Sequence, residues 1–272
     1  MTSDLVAVET LDRSIGNAMP ATVDPARFEF VLRLADNALI LGQRLSEWCG
    51  HGPALEEDIA LANTALDLVG QARMWLSYAG ELEGAGRDED QLAFLRDAGA
   101  FRNLLIVEQP NGDYAMTIAR QFFFDVWHWQ ALAELAHSND ARIAAIAGKA
   151  AKEVTYHARR SGEWMVRLGD GTGESRRRMQ RAVDELWEFT GEMFVMDDVD
   201  QAMLETGTGI DLAALAEPWK THVAEVLAEA TLMMPSGQWT QRGGKHGVHS
   251  EHLGRLLAEM QVLQRAYPGA RW

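Results

Sequence analysis

The chain has little of what disulfide-stapled, nucleic-acid-binding and membrane proteins are made from. Among its 272 residues Cys49 is the only cysteine, so no internal disulfide can form. Beside Trp48, in an apolar helical pattern, that thiol is expected to be buried and inert, as suits a reducing compartment. Positive charge is scarce: 25 Lys and Arg stand against 40 Asp and Glu, a formal net charge of −15. The cations are scattered along the chain instead of gathered into a stripe, which argues against a nucleic-acid partner. No uninterrupted apolar run reaches the roughly 18–20 residues of a membrane span. Met1 to Pro20 lack the basic start and apolar run of a secretory signal, so a soluble, cytoplasmic chain without a membrane partner is expected. Nucleophile elbow, P-loop, dinucleotide fingerprint and CxxC are all missing, which removes most common enzyme classes. Strand-like alternation of useful length is missing too.

What the sequence does have is helical periodicity, with a hydrophobic content of 47%, enough for a sizeable core. Residues 1–23 read as a flexible N-terminal arm and 24–272 as one helical domain. Asp24-Pro25 is a helix start, and Val31, Leu34, Ala38, Leu41, Leu45 and Trp48 follow at steps of three and four until Gly50-His51-Gly52-Pro53. A second helix is expected over about 54–83 with Ile59, Leu66, Val69 and Leu76 on one face. A short helix near 89–96 leads to the turn Gln109-Pro110-Asn111-Gly112-Asp113. Long helices then span about 113–137, 141–168 and 174–193, with shorter ones near 199–206 and 218–231. Residues 235–247 read as a loop. Ser250 caps a last helix lined by Leu253, Leu256, Leu257, Met260 and Leu263. Four long helices with tight connections predict an all-α antiparallel four-helix bundle, with the additional C-terminal helices packed outside it.

A bundle can hold two metals when two helices each give a carboxylate and two give a Glu-x-x-His pair. The candidates by helix are Gln43 and Glu47, Asp67 and Gln71, Asp125 and His128, and Glu153 and His157. Only Asp125 and His128 have the i, i+3 spacing. Gly70 stands three residues after Asp67, Tyr156 three after Glu153, and Lys152 adds a cation beside Glu153. Hydrogen-bonded structural residues, a vestigial metal-free site and a working metal site all stay open as readings of these positions. Lys245, His246, His249 and His252 form a second cluster around a Gly-rich loop, a candidate for holding an anion or docking on a partner. The run from Phe122 to Trp129 is apolar all round, so burial on several sides is required. Phe123, Trp127 and Trp129 are therefore candidates for core and for a subunit interface.

Several longer segments carry a resemblance: Leu41-Gly-Gln-Arg-Leu-Ser-Glu-Trp-Cys-Gly50, Asp67-Leu-Val-Gly-Gln-Ala-Arg73, Val107-Glu-Gln-Pro-Asn-Gly112, Ile118-Ala-Arg-Gln121, and Glu251-His-Leu-Gly254 with Ala258-Glu-Met-Gln261. They spread over residues 28–272 and resemble the C subunits of phenylacetyl-CoA epoxidase complexes. The resemblance implies a ferritin-like, structural subunit that lacks iron ligands and catalytic residues of its own. It would pair with a catalytic A subunit holding a di-iron centre and the CoA thioester, beside a small B subunit. FAD, an iron–sulfur cluster and NADPH would serve a separate reductase. A homodimer is a further expected partnership, and an autonomous ferritin-like di-iron oxidase or iron-binding protein and a small-molecule-binding bundle are the competing expectations.

Overall fold

The computed structural model describes residues 24–237 and 240–270. The arm expected over 1–23 lies outside the described residues, as do 238–239 within the expected 235–247 loop. Among the described residues the chain is helical without strands. The long elements are α1 (Pro25–Ser46), α2 (Leu55–Glu83), α5 (Tyr114–Leu135) and α6 (Ala141–Gly169). Between them lie α3 (Glu89–Phe94) and α4 (Leu105–Glu108), and after them α7 (Gly173–Leu186), α8 (Asp198–Glu205), α9 (Ala216–Glu229) and α10 (Glu251–Ala266).

The starts follow from the side chains that precede them. Asp24 accepts from the Arg27 N–H at 3.1 Å, Asp113 from that of Met116 at 3.0 Å, and Asp140 from those of Arg142 and Ile143 at 2.9 and 3.1 Å. Each carboxylate satisfies N–H groups that have no partner within the first turn. Gly84 ends α2 at φ +66°, the left-handed cap that glycine adopts without strain. The helix expected over 174–193 stops at Leu186 and continues as 3₁₀ turns over Trp187–Phe189 and Gly191–Phe194. There the chain passes Thr240 so closely that a Cβ on residue 191 would lie 2.5 Å from its methyl carbon.

α1 packs along α2, α5 along α6, and α2 against α6, giving the ferritin-like bundle. α7 and α9 lie on α5 and α6, α8 lies on α1, and α10 lies on α1 and α3, so the C-terminal helices do pack outside the bundle. Two expectations about faces are corrected. Ile59, Leu66 and Val69 are 52, 68 and 36% exposed, and of the expected α2 face only Leu76 is buried. The buried face is Leu61, Ala65, Leu68, Ala72, Trp75, Leu76 and Ala79. α2 thus carries two apolar faces, and the alanine-rich one lets α1 approach: Gly42 would place a Cβ 3.2 Å from Val69 and 3.3 Å from the Ala65 carbonyl oxygen. Cys49 is exposed, because α1 ends at Ser46 and the residue falls in the following turn. Leu263, expected on the inner face of α10, is 49% exposed.

The deepest electrostatic contact fixes α1 to the α3–α4 connection. Asp36 is fully buried and takes both guanidinium nitrogens of Arg96, one at 2.9 Å, together with the Arg102 N–H at 2.8 Å. Removing one member of a buried pair leaves an uncompensated charge, so Asp36→Ala is expected to lower unfolding stability by about 3–5 kcal/mol. Urea titration of the variant against the wild type checks this, and a loss below about 1 kcal/mol would contradict it.

Candidate functional site

The polar centre of the bundle lies where α2, α5 and α6 meet. Asp125 is fully buried, and its two oxygens accept from Gln121 Nε2 at 2.6 Å and Ser161 Oγ at 2.9 Å. Burial raises its pKa from 3.8 to about 6, against the opposing pull of His157 and of the two hydrogen bonds. His128, one turn further along α5, is buried against Phe124 and Trp127, with ring centroids 5.0 and 6.3 Å away. Burial, and then the neighbouring His157, push its pKa down to about 3, so it is a neutral imidazole at ordinary pH. The other expected residues pair across α2 and α6: His157 Nε2 lies 3.0 Å from Asp67 Oδ2, and Gln71 Nε2 donates to Glu153 at 2.9 Å. At one end of the same seam Glu57 accepts from the Tyr114 hydroxyl at 2.7 Å and from Arg160.

The expected candidates are thus not brought to a common point. Glu47, just past the end of α1, is tied at 2.8 Å to Arg44 and at 2.8 Å to Asn111, and Gln43 is half-buried on α1. Among the described residues no group of three or more His, Cys, Asp or Glu is placed to hold a metal ion. Gly70 and Tyr156, read as inward positions where a histidine would be needed, face outward. A Cβ at residue 70 would meet nothing within 4 Å, and Tyr156 is 47% exposed. Step four, not step three, points inward here, at Gln71 and His157, both buried. The donor set therefore does not fit a di-iron centre. What the centre does hold is a set of buried atoms without protein partners: Nδ1 of His128 and His157, and Oε1 of Gln71 and Gln121.

Two residues of the C-terminal cluster, Lys245 and His249, are committed internally. Lys245 is buried and donates to Val195 O at 2.8 Å and to Asp200. His249 Nδ1 lies 2.8 Å from Glu108, and Nε2 lies 3.0 Å from Phe101 O. Burial lowers the His249 pKa, but the Glu108 carboxylate outweighs it and raises the imidazole above its ordinary value. His246 is largely exposed, 3.7 Å from Asp197, and the His252 carbonyl accepts from Arg44 at 3.1 Å. Phe123 and Trp127 are covered by this chain itself. Trp219 donates to Phe123 O at 2.9 Å and Trp127 to Met193 O at 3.1 Å, so neither is available to a partner, while Trp129 is 36% exposed.

Some organising residues were not among the candidates. Arg120 is fully buried without a carboxylate of its own, donating to Gln109 O at 2.5 Å and Asn111 Oδ1 at 2.7 Å. Burial, and then repulsion from Arg44, lower its pKa to about 9. Gln121, one turn before Asp125, could have been found from that i, i+4 spacing. Ser161 carried no such signal.

An all-helical bundle with hydrogen-bonded polar groups between its central helices is of the ferritin-like class. The chain belongs to the family described as phenylacetic acid catabolic protein, whose profile matches residues 14–272. It is similar to the C subunit of the 1,2-phenylacetyl-CoA epoxidase of Escherichia coli (strain K12). The two are 54% identical over 243 residues, covering 89% of this chain and 98% of that relative.

A raised carboxyl pKa has a definite sign. Folding favours protonated Asp125, so its contribution to stability is full below pH 4 and falls as pH rises towards 6. Asparagine mimics the protonated acid, and the unpaired Oε1 of Gln121 lets that amide turn to accept from it. The stability of Asp125→Asn relative to wild type is therefore expected to rise by about 2 kcal/mol between pH 4 and 6. Urea midpoints measured across that range check it, and parallel curves would contradict it.

Proposed function

We infer that this chain is the structural, non-catalytic subunit of a cytoplasmic phenylacetyl-CoA epoxidase in aerobic phenylacetate catabolism, pairing with and stabilising the catalytic di-iron subunit. The likeness to the C subunit of an epoxidase along nearly its whole length supports the assembly. One observation carries the non-catalytic share: Asp67, Asp125, Glu153 and His157 hydrogen-bond within the chain, and His128 is held neutral among aromatic rings. Carboxylates engaged by amides, an imidazole and a hydroxyl, with the third-step positions of α2 and α6 facing outward, do not form the pair of Glu-x-x-His clamps of a di-iron centre. In this reading the di-iron centre, FAD, iron–sulfur cluster and NADPH belong to partner subunits, and a small B subunit joins the assembly.

The chain is expected to retain far less than stoichiometric iron after anaerobic reconstitution with ferrous ion, and elemental analysis finding an iron pair per chain would end the proposal. In the assembled complex, Asp125→Ala and Glu153→Ala are expected to cost about 1–3 kcal/mol of stability through stranded partners while leaving turnover per complex unchanged. A variant that assembles and melts normally yet loses turnover would make these groups catalytic.

A further inference from the structure

The outward face of α2 has no counterpart elsewhere among the described helices. Leu55, Ile59, Leu66 and Val69 are 72, 52, 68 and 36% exposed, and half-buried Ala62 completes the row. From Leu55 to Val69 the steps are four, three, four and three, the a/d spacing of a helix-on-helix seam. The row is about 21 Å long at 1.5 Å per residue. Val69 borders the α1 contact at Gly42, but Leu55, Ile59 and Leu66 lie apart from the Leu68, Ala72 and Trp75 face that packs inside, so the core does not account for them. Two positions along it are small: Ala62 within the row, and exposed Gly70 at its end, where a Cβ would find nothing within 4 Å. Small residues let a second helix come close. Charge on the rim has one sign. Glu56 is exposed, Asp58 is half-exposed where it accepts the Gly52 N–H at 2.9 Å, and the Asp67 side chain is 40% exposed. The cation at the far end, Arg73, is already 3.2 Å from Glu89.

We propose that this α2 seam is the docking surface for a helix of the partner subunit, an amphipathic helix whose own apolar row is flanked by lysine or arginine. The proposal rests on the subunit reading above and gives it a location. A second copy of this chain is disfavoured as occupant because both surfaces would bring a net charge of −15 and an acidic rim. A seam of this length does not reach the ~800 Å² per partner of a stable interface, so the partner covers neighbouring surface as well, with the seam at the contact's apolar centre.

The test uses the full chain and the catalytic subunit of the same complex, mixed and followed by titration calorimetry and light scattering. Ile59→Glu and Leu66→Glu change exposed positions and are expected to leave helicity and melting unchanged. Each is expected to weaken association by at least about tenfold. Glu56→Lys is expected to slow association several-fold and flatten its salt dependence. Val262→Glu, on the exposed face of α10, is expected to bind as wild type does. Wild-type affinity in the seam variants, or loss only in Val262→Glu, overturns the location while leaving the subunit reading intact. A wild-type chain that binds no catalytic subunit overturns the subunit reading and the seam's occupant with it. A homodimer that Leu66→Glu dissociates assigns the seam to self-association and overturns the proposal.

Discussion

A helix buried on every side must be covered all round, and α5 imposes that constraint on the rest of the molecule. From Thr117 to His128 every residue is buried, including Phe122, Phe123 and Phe124 with no exposed surface. Two helices of a hairpin cannot enclose a third completely, so a bare four-helix bundle would leave part of α5 in water. The chain resolves this with its own C-terminal half: α7 and α9 pack on α5, Trp187 meets Phe123 edge-on and Trp219 at a tilt, both at 5.8 Å between ring centroids, and the Trp219 indole donates to its carbonyl. Burying each such ring is worth roughly 1.5–3 kcal/mol, so these helices are part of the core and not an ornament on it.

The segments that wrap this core are held by buried charge. Glu192 accepts from the backbone N–H groups of Leu105, Gly243 and Gly244 at 2.8–2.9 Å. Glu108 takes His249 and the Ser250 N–H, and Arg33 forks onto Asp197 at 2.8 Å beside the Lys245–Asp200 pair. Each carboxylate joins segments far apart in sequence. A buried ion satisfied in this way specifies one arrangement more than it adds net stability, since desolvation consumes most of the attraction. The Gly-rich C-terminal loop, which alone would have no reason to be ordered, takes its shape from these contacts.

Helix existence was legible because periodicity and caps are local. Asp24-Pro25, Asp113 and Ser250 each mark a start, and each caps where expected. Orientation was not legible where a helix has two apolar faces. On α2 Leu55, Ile59 and Leu66 lie outside, while Leu61, Leu68 and Trp75 with the alanines between them lie inside, and periodicity alone does not say which of two apolar faces meets the core. The turn of α2 put Gly70 outward and Gln71 in, and that of α6 put Tyr156 outward and His157 in, so the spacing argument against a metal site named the wrong residues. Cys49 was misjudged by one turn: the apolar pattern continues past Ser46, but the hydrogen-bonded helix does not. Pairings such as Ser161 with Asp125, or Arg96 with Asp36, depend on contacts between distant segments that no local pattern encodes.

The centre and the outer seam are two consequences of how α2 is turned. With Gln71 aimed inward and Gly70 outward, α2 gives the centre an amide where a metal clamp would need an imidazole, and the amide can engage Glu153 without any cation. The same rotation puts Leu55, Ile59, Leu66 and Val69 in water, at a cost that a chain working alone has no reason to retain. Asp67 stands at the boundary between the two regions, 40% exposed on the seam's edge and bonded to buried His157. Covering the seam would desolvate that carboxylate and strengthen its attraction to the imidazole, since the attraction grows as water is removed. Docking on the outside of α2 would therefore also act on the polar centre, through one hydrogen bond that spans the helix pair, with the attraction gained set against the hydration lost by Asp67.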